Sequence, residues 1–497
     1  MISDLKQKER YYCETFPAFL EFIKSEYSEN KALEDDSNPL TYNELYTSVA
    51  RKVSYINSLN LKSRSHIAVM SYNSIEAMIT FLAIPASGNI LVMLPVQTSP
   101  VQYKNIIEKF DIDAVFLSDE FLSFSKLTDV PAFDICNTSD YETGFAEVTD
   151  KTIAAIFLTG GTTGIPKGVV LTHKALLTGA YNSVVHMTHY YGSINIFLHR
   201  RYIAMLPLSH VFGAVTGFIF GLLTGSVLLP KKTVSEAIEA IPEFKPTALV
   251  LVPSILELIF SISDVKGSRY VDSIEYVSCG ATSLDDSLIK KSYEKSVGII
   301  YGYGLTETAS TFFTLFEHKT CPGAAGQILP SDDIKIVDGE LLLKGDSLFT
   351  EYYKEPELTK TSFSDGYFHT GDLAKIEQIE DKQYLVLLGR KKNLIILGNG
   401  ENVSPEELES IFIKHSEIKD CMVKEMSFNS TNVIGIEILP DFEQFSSENK
   451  TEIEKKLREI INLENSQLPT YKQIRKLVIK DSPFERNEVM KKIRRQK

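Results

Sequence analysis

Along residues 63–310, short apolar runs alternate with stretches whose apolar positions recur every three or four residues. Ile67-Ala68-Val69-Met70, Ile90-Leu91-Val92-Met93, Ala154-Ala155-Ile156-Phe157, Ala248-Leu249-Val250-Leu251 and Ile274-Glu275-Tyr276-Val277 predict strands. Residues 74–83, 234–244 and 284–295 carry helical spacing. That alternation implies parallel sheets covered by helices. After Thr308 the texture changes. Residues 334–337, the pair Asp338-Gly339 and residues 340–343 predict a β-hairpin with a tight turn, and 375–388 predict a second. These form a small β-rich subdomain. Beyond Lys391 helices at 406–414 and 450–463 mix with a strand at 433–439, as in a compact α+β domain.

The expected architecture is therefore α/β: a large N-terminal domain (1–389) of helix-covered sheets with a small β-barrel-like subdomain, then a small α+β domain (390–497). The boundary falls at the polar stretch Gly389-Arg390-Lys391-Lys392-Asn393. Residues 212–229 carry no charge and include Gly213, Gly217, Gly221 and Gly225 at four-residue spacing, as membrane helix pairs do. A buried helix, a turn at Thr224-Gly225-Ser226 and a short strand at 227–229 fit better, because so many glycines weaken a helix and one short span is marginal.

Composition narrows the functional classes. Hydrophobic residues make up 43% and charged residues 24% of the 497, as in soluble globular proteins. A net charge of -13 opposes nucleic-acid binding, which recruits basic surfaces, and opposes docking on anionic lipid. Cys13, Cys136, Cys279, Cys321 and Cys421 are scattered and never spaced as C-x-x-C, so neither a zinc site nor a disulfide framework is expected. Cys279 reads as a buried strand-end thiol. The first thirty residues lack the basic end and apolar core of a signal peptide, and a cytoplasmic location is expected.

The run with most chemical content is Thr159-Gly160-Gly161-Thr162-Thr163-Gly164-Ile165-Pro166-Lys167-Gly168. It follows a strand. Glycines let backbone N–H groups approach an anion, threonines add hydroxyl donors and Lys167 adds positive charge. A polyphosphate suits such a loop. No Gly-Lys-Ser/Thr is present, so it is not a Walker loop.

This loop resembles the phosphate loop of the acyl-adenylate-forming superfamily, which includes acyl-CoA synthetases, adenylation domains of peptide synthetases and luciferases. Four further segments appear in the family's order: Tyr303-Gly304-Leu305-Thr306-Glu307, His369-Thr370-Gly371-Asp372, Gly389-Arg390-Lys391-Lys392 and Gly398-Asn399-Gly400-Glu401-Asn402-Val403. The resemblance implies that ATP and Mg²⁺ are used. Tyr303 would stack on adenine, Thr306 would bond a nucleotide phosphate and Glu307 would hold Mg²⁺, a hard cation that takes oxygen ligands. Asp372, an acceptor when ionised, would take the ribose hydroxyls, with Arg390 nearby. A lysine near the C-terminus would neutralise charge as an acid carboxylate meets the α-phosphate. Lys492-Ile493-Arg494-Arg495 matches the end of that motif, which points to Lys492, with Lys491 as the alternative register. The small domain would rotate about Lys392 between the two half-reactions, with Gly398 and Gly400 lining the path of a thiol.

Leu206-Pro207-Leu208-Ser209-His210-Val211-Phe212 resembles the acid-pocket motif of acyl-CoA synthetases, especially fatty-acyl ones, which often have Glu where this chain has Gly213. His210, Val211, Gly280 and Ala281 are the expected pocket residues. Amino-acid-activating relatives place an aspartate at the position of Val211, so an uncharged apolar acyl tail is expected here. No carrier domain with a Gly-Gly-x-Ser-type site is present, so the thiol belongs to CoA or to a separate acyl carrier protein. A nucleotide-binding protein without catalysis, a membrane-embedded acyl transporter and a luciferase-like oxygenase stay open at this level.

Overall fold

In a computed structural model, residues 9–35, 39–159, 166–282, 284, 286–316, 320–321, 323–396, 402–428, 431–445 and 449–485 are described. The chain divides into two compact units, one of residues 1–332 and 344–363 and one of 333–343 and 364–497. The expected mix of helices and sheets is present: parallel sheets with helices in the first unit, hairpins and an α+β sheet in the second.

The first unit holds two sheets. In one, Ile90–Met93, His66–Met70, Ile112–Leu117 and Ala132–Asp134 run parallel, and Ile90–Met93 also pairs parallel with Ile153–Thr159. Strand Lys167–Thr172 adds antiparallel to Ile153–Thr159, and Glu351–Tyr352 adds antiparallel to Lys167–Thr172. The second sheet has a parallel centre of Val227–Pro230, Arg201–Ala204, Ala248–Leu251, Tyr276–Gly280 and Gly298–Leu305. Ser310–Leu315 and Ala324–Ile328 extend it antiparallel. The predicted strand at 274–277 thus lies about two residues further on, because Ile274 closes a turn on Val271.

Helix starts follow capping chemistry. Ser74 Oγ accepts from Ala77 N–H at 3.1 Å, so the helix predicted over 74–83 runs Ile75–Ala86. Thr233 caps Val234–Phe244 in the same way, and Lys245 ends it in the left-handed region. Residues Phe212–Ile219 form a π-helix that passes into Phe220–Leu223, with strand Val227–Pro230 after it. The buried helix expected there is present, but its first turns are wider than an α-helix. Such π segments recur at functional sites. Among the described residues no helix is long and apolar enough to cross a membrane.

In the second unit Tyr367–Ile379 and Lys382–Arg390 form a hairpin longer than the predicted 375–388. Asp333–Val337 and Glu340–Lys344 pair at its side, and the Asp338-Gly339 turn has φ +50° and +78°, the left-handed pair that such hairpins need. A three-stranded sheet of Ile418–Phe428, Thr431–Pro440 and Lys476–Ile479 packs with helices Pro405–Phe412 and Lys450–Gln467 around Leu408, Phe412, Val423, Ile436 and Leu457.

Candidate functional site

Thr159 stands opposite Lys167 where strands Ile153–Thr159 and Lys167–Thr172 pair, so the Gly/Thr loop leaves the sheet and returns at one point. Within it Gly160, Gly161, Thr162, Thr163 and Gly164 lie outside the described residues. Thr159 Oγ1 is 3.5 Å from the Lys167 carbonyl oxygen. Gly168 is glycine for a packing reason: a Cβ there would run into the Phe110 ring and Ile156.

Strand addition by Glu351–Tyr352 sets Tyr352 opposite Val169. The Lys167 ammonium lies 5.5 Å from the centroid of the Tyr352 ring, within cation–π range. The Tyr352 hydroxyl donates to Glu307 Oε1 at 2.8 Å, and Phe349 N–H donates to the Glu307 carbonyl at 2.9 Å. Two residues from separate motifs, Lys167 and Glu307, are thereby joined through a tyrosine that the sequence reading did not single out. Nothing in the run Glu351-Tyr352-Tyr353 marks it; its place comes from pairing with a strand far away in the chain.

Glu307 sits in a tight reversal. Strand Gly298–Leu305 runs into the 3₁₀ turn Thr306–Thr308, and the chain turns back as Ser310–Leu315. Leu305 N–H donates to Thr308 Oγ1 at 2.8 Å, and that hydroxyl lies 2.8 Å from the Ser310 carbonyl oxygen. Ala309 and Ser310 both have left-handed φ, +49° and +88°, which non-glycine residues adopt only when their surroundings hold them there. The Ala309 carbonyl packs on Gly179 of helix His173–Tyr191, where a Cβ would overlap it. Thr216 Oγ1 on the π-helix lies 2.8 Å from Ser310 Oγ and 3.2 Å from Thr311 Oγ1. Tyr303 is buried, with its ring stacked on Phe313 at 6.1 Å and an interplanar angle of 27°.

Of the expected acid-pocket residues, Gly280 lies against the Phe212 ring, and His210 and Val211 adjoin Phe212 in the chain. Strand Tyr276–Gly280 ends at Gly280, and Ala281 takes φ +70°. A Cβ on Gly280 would stand 3.1 Å from the Phe212 ring and 3.2 Å from the Gly302 carbonyl oxygen. His210 and buried Val211 directly precede Phe212, which opens the π-helix. Gly213 rests against the carbonyls of Leu206 and Pro207, leaving no space for a side chain, so the Glu of fatty-acyl enzymes has no room on this backbone. Asn73, also not foreseen, donates its amide to the carbonyls of Ala204 and Leu206 at 3.0 and 2.9 Å and holds the segment entering the motif. Cys279 is the buried strand thiol expected, and burial pushes its pKa well up.

In the second unit Asp372 and Arg390 are register partners across the hairpin, and Arg390 Nε meets Asp372 Oδ1 at 2.7 Å. Asp372 is buried, and its N–H donates to Thr370 Oγ1 at 3.0 Å. Lys392 lies in the 3₁₀ turn Lys391–Asn393, and Asn393 donates its side-chain amide to Glu406 Oε1 at 2.6 Å. Gly398, Gly400, Lys491 and Lys492 lie outside the described residues.

The chain matches the family model "AMP-binding enzyme" over residues 21–353 and the model "AMP-binding enzyme C-terminal domain" over residues 392–497. It is 27% identical over 419 residues to an indoleacetate–CoA ligase of Aromatoleum aromaticum, covering 77% of this chain and 80% of that one. It is 26% identical over 434 residues to a 2-succinylbenzoate–CoA ligase of Oceanobacillus iheyensis, covering 83% and 86%. In fold it is similar to o-succinylbenzoate CoA synthetase of Bacillus subtilis in complex with an acyl-adenylate, with TM-score 0.78, 22% identity and coverage of 95% and 96%.

Proposed function

Because the chain belongs to the AMP-binding enzyme family of acyl-adenylate-forming ligases, we propose that it uses ATP to activate an apolar carboxylic acid lacking an amino group and then transfers the acyl group to CoA. The observation that carries this reading is the Lys167–Tyr352–Glu307 cluster at the mouth of the Gly/Thr loop. A cation and a carboxylate that both contact one tyrosine suit a polyphosphate with its divalent ion. Lys167 would draw phosphate charge, with Gly160, Gly161, Thr162, Thr163 and Gly164 supplying donors from the loop between. Thr306 would bond phosphate from the turn that carries Glu307. One carboxylate is enough for Mg²⁺, which keeps waters and shares the phosphate oxygens. Asp372 and Arg390 are the proposed ribose residues.

Tyr352 gives this reading a test. Its hydroxyl fixes the orientation of the Glu307 carboxyl group, and a hydrogen bond to a charged group contributes about 1.5–3 kcal/mol. Tyr352→Phe is therefore expected to raise the Mg²⁺ concentration for half-maximal turnover by about tenfold or more. A Mg²⁺ titration of steady-state rates checks it, and an unmoved midpoint rejects the role.

The relatives named for indoleacetate and 2-succinylbenzoate favour an aryl acid over the fatty acid expected from residues 206–212. CoA is the proposed acceptor. ATP–pyrophosphate exchange over aryl, fatty and α-amino acids separates the readings. Exchange is expected with aryl acids first and fatty acids second. Preferential activation of an α-amino acid overturns the proposal, because Val211 offers no countercharge for an ammonium group.

A further inference from the structure

Glu340 is an acid that neither the motifs nor the roles above employ, and it is buried, with 7% of its side chain exposed. Strand Glu340–Lys344 lies beside Tyr367–Ile379, with Glu340 opposite Leu373 and Leu342 opposite His369. Three donors converge on its carboxylate. Gly371 N–H donates to Oε1 at 3.0 Å, His369 Nδ1 lies 3.2 Å from Oε2, and Lys391 Nζ donates to Oε2 at 2.8 Å. Burial raises the pKa of this carboxyl, but Lys391, His369 and the Gly371 N–H together outweigh it and hold the group below its ordinary value. A buried carboxylate with three hydrogen-bonding partners is satisfied where an unpaired one would be costly.

The placement of the partners is what matters. Gly371 directly precedes Asp372 and takes φ +70°, and Lys391 directly follows Arg390. One carboxylate thus grips both strands of the hairpin at the register step where Asp372 meets Arg390. A Cβ on Gly371 would meet nothing within 4 Å, so glycine is required there by its φ and not by close packing, and the bond to Glu340 is one of the contacts that fix this turn. We propose that Glu340 is a positioning residue for nucleotide binding: it holds Gly371 and Lys391 so that the Asp372–Arg390 pair presents a fixed acceptor to the ribose hydroxyls. The inference rests on the assignment of Asp372 to the ribose.

Binding of ATP and of 2′,3′-dideoxy-ATP to the full chain, together with the KM for each in pyrophosphate exchange, reads this role. Wild type is expected to favour ATP. Asp372→Ala is expected to lose that preference. Glu340→Ala is expected to cut the preference about tenfold, through weaker ATP binding, while dideoxy-ATP binding and kcat change little. A merely structural role would weaken both nucleotides alike. Glu340→Gln keeps an acceptor for Gly371 and is expected to recover part of the preference. Lys391→Met, at a largely exposed ammonium, is expected to lose less than Glu340→Ala and to add nothing to it in the double variant. If Glu340→Ala does not fold, Glu340→Gln and Lys391→Met carry the test, and full wild-type preference in both overturns the inference. Full preference in a folded Glu340→Ala, with Asp372→Ala deficient, overturns it while the ribose assignment stands. Full preference in Asp372→Ala overturns the assignment and the inference with it.

Discussion

Lys492→Ala is expected to slow acyl-adenylate formation by about 10²–10³-fold, the effect of removing a preorganised charge from a site where charge develops. Adenylation brings an anionic carboxylate against an anionic α-phosphate, so an approaching cation lowers the barrier. Thioester formation starts from a mixed anhydride that is already activated and has no such need. Given pre-made acyl-adenylate, the variant is therefore expected to form thioester at close to the wild-type rate. Lys392→Pro is expected to do the reverse, because proline fixes the φ that a rotating segment must change. Single-turnover measurements of each half-reaction, with the two variants side by side, check both. Equal losses in both halves for Lys492→Ala would reject alternation between two arrangements. No loss in either half moves the assignment to Lys491.

Gly304→Ala is expected to damage fold and activity together. A Cβ at Gly304 would overlap the Ser310 carbonyl oxygen, which is backbone and cannot swing aside. The segment has no slack to retreat. Ser310 is held in a left-handed conformation, its carbonyl lies against Thr308 Oγ1, and the neighbouring Ala309 carbonyl already rests on Gly179. Overpacking of this kind costs up to about 3 kcal/mol, and occasionally more where nothing yields. The displaced backbone carries Thr306 and Glu307, so pyrophosphate exchange is expected to fall by more than the loss of folded protein explains. Thermal unfolding and exchange on the same preparation read the two effects. An unchanged melting temperature with unchanged exchange would reject the rigid turn. Gly144→Ala is a control, since nothing lies within 4 Å of a Cβ there and its φ is not in the left-handed region.

Gly304 also shows what a residue pattern can and cannot say. Its motif pointed to nucleotide chemistry, yet the reason that it is glycine is a carbonyl on the returning strand. Gly168 is alike: it lies in the phosphate loop motif but is glycine because Phe110 and Ile156 press on it.

Short-range order alone specified most elements. Strands such as Ile90–Met93 and Ala248–Leu251 are buried on both faces and so read as unbroken apolar runs. The Asp338-Gly339 turn needed only the two residues that tolerate left-handed φ. Capping hydroxyls placed helix starts within a few residues of expectation. Five ordered motifs were enough to indicate the family. What the chain pattern did not contain is every relation made by pairing across long separations. Tyr352 reaches Glu307 only because Glu351–Tyr352 joins the edge of Lys167–Thr172. Glu340 looks like a solvent-facing acid after an Asp-Gly turn until strand pairing buries it between Gly371 and Lys391. The π geometry over Phe212–Ile219 likewise accompanies the approach of Gly213 to two carbonyls and of Thr216 to Ser310. Local propensity depends on neighbours a few residues away, whereas burial and the convergence of partners depend on which strands meet, and that was decided by the tertiary fold.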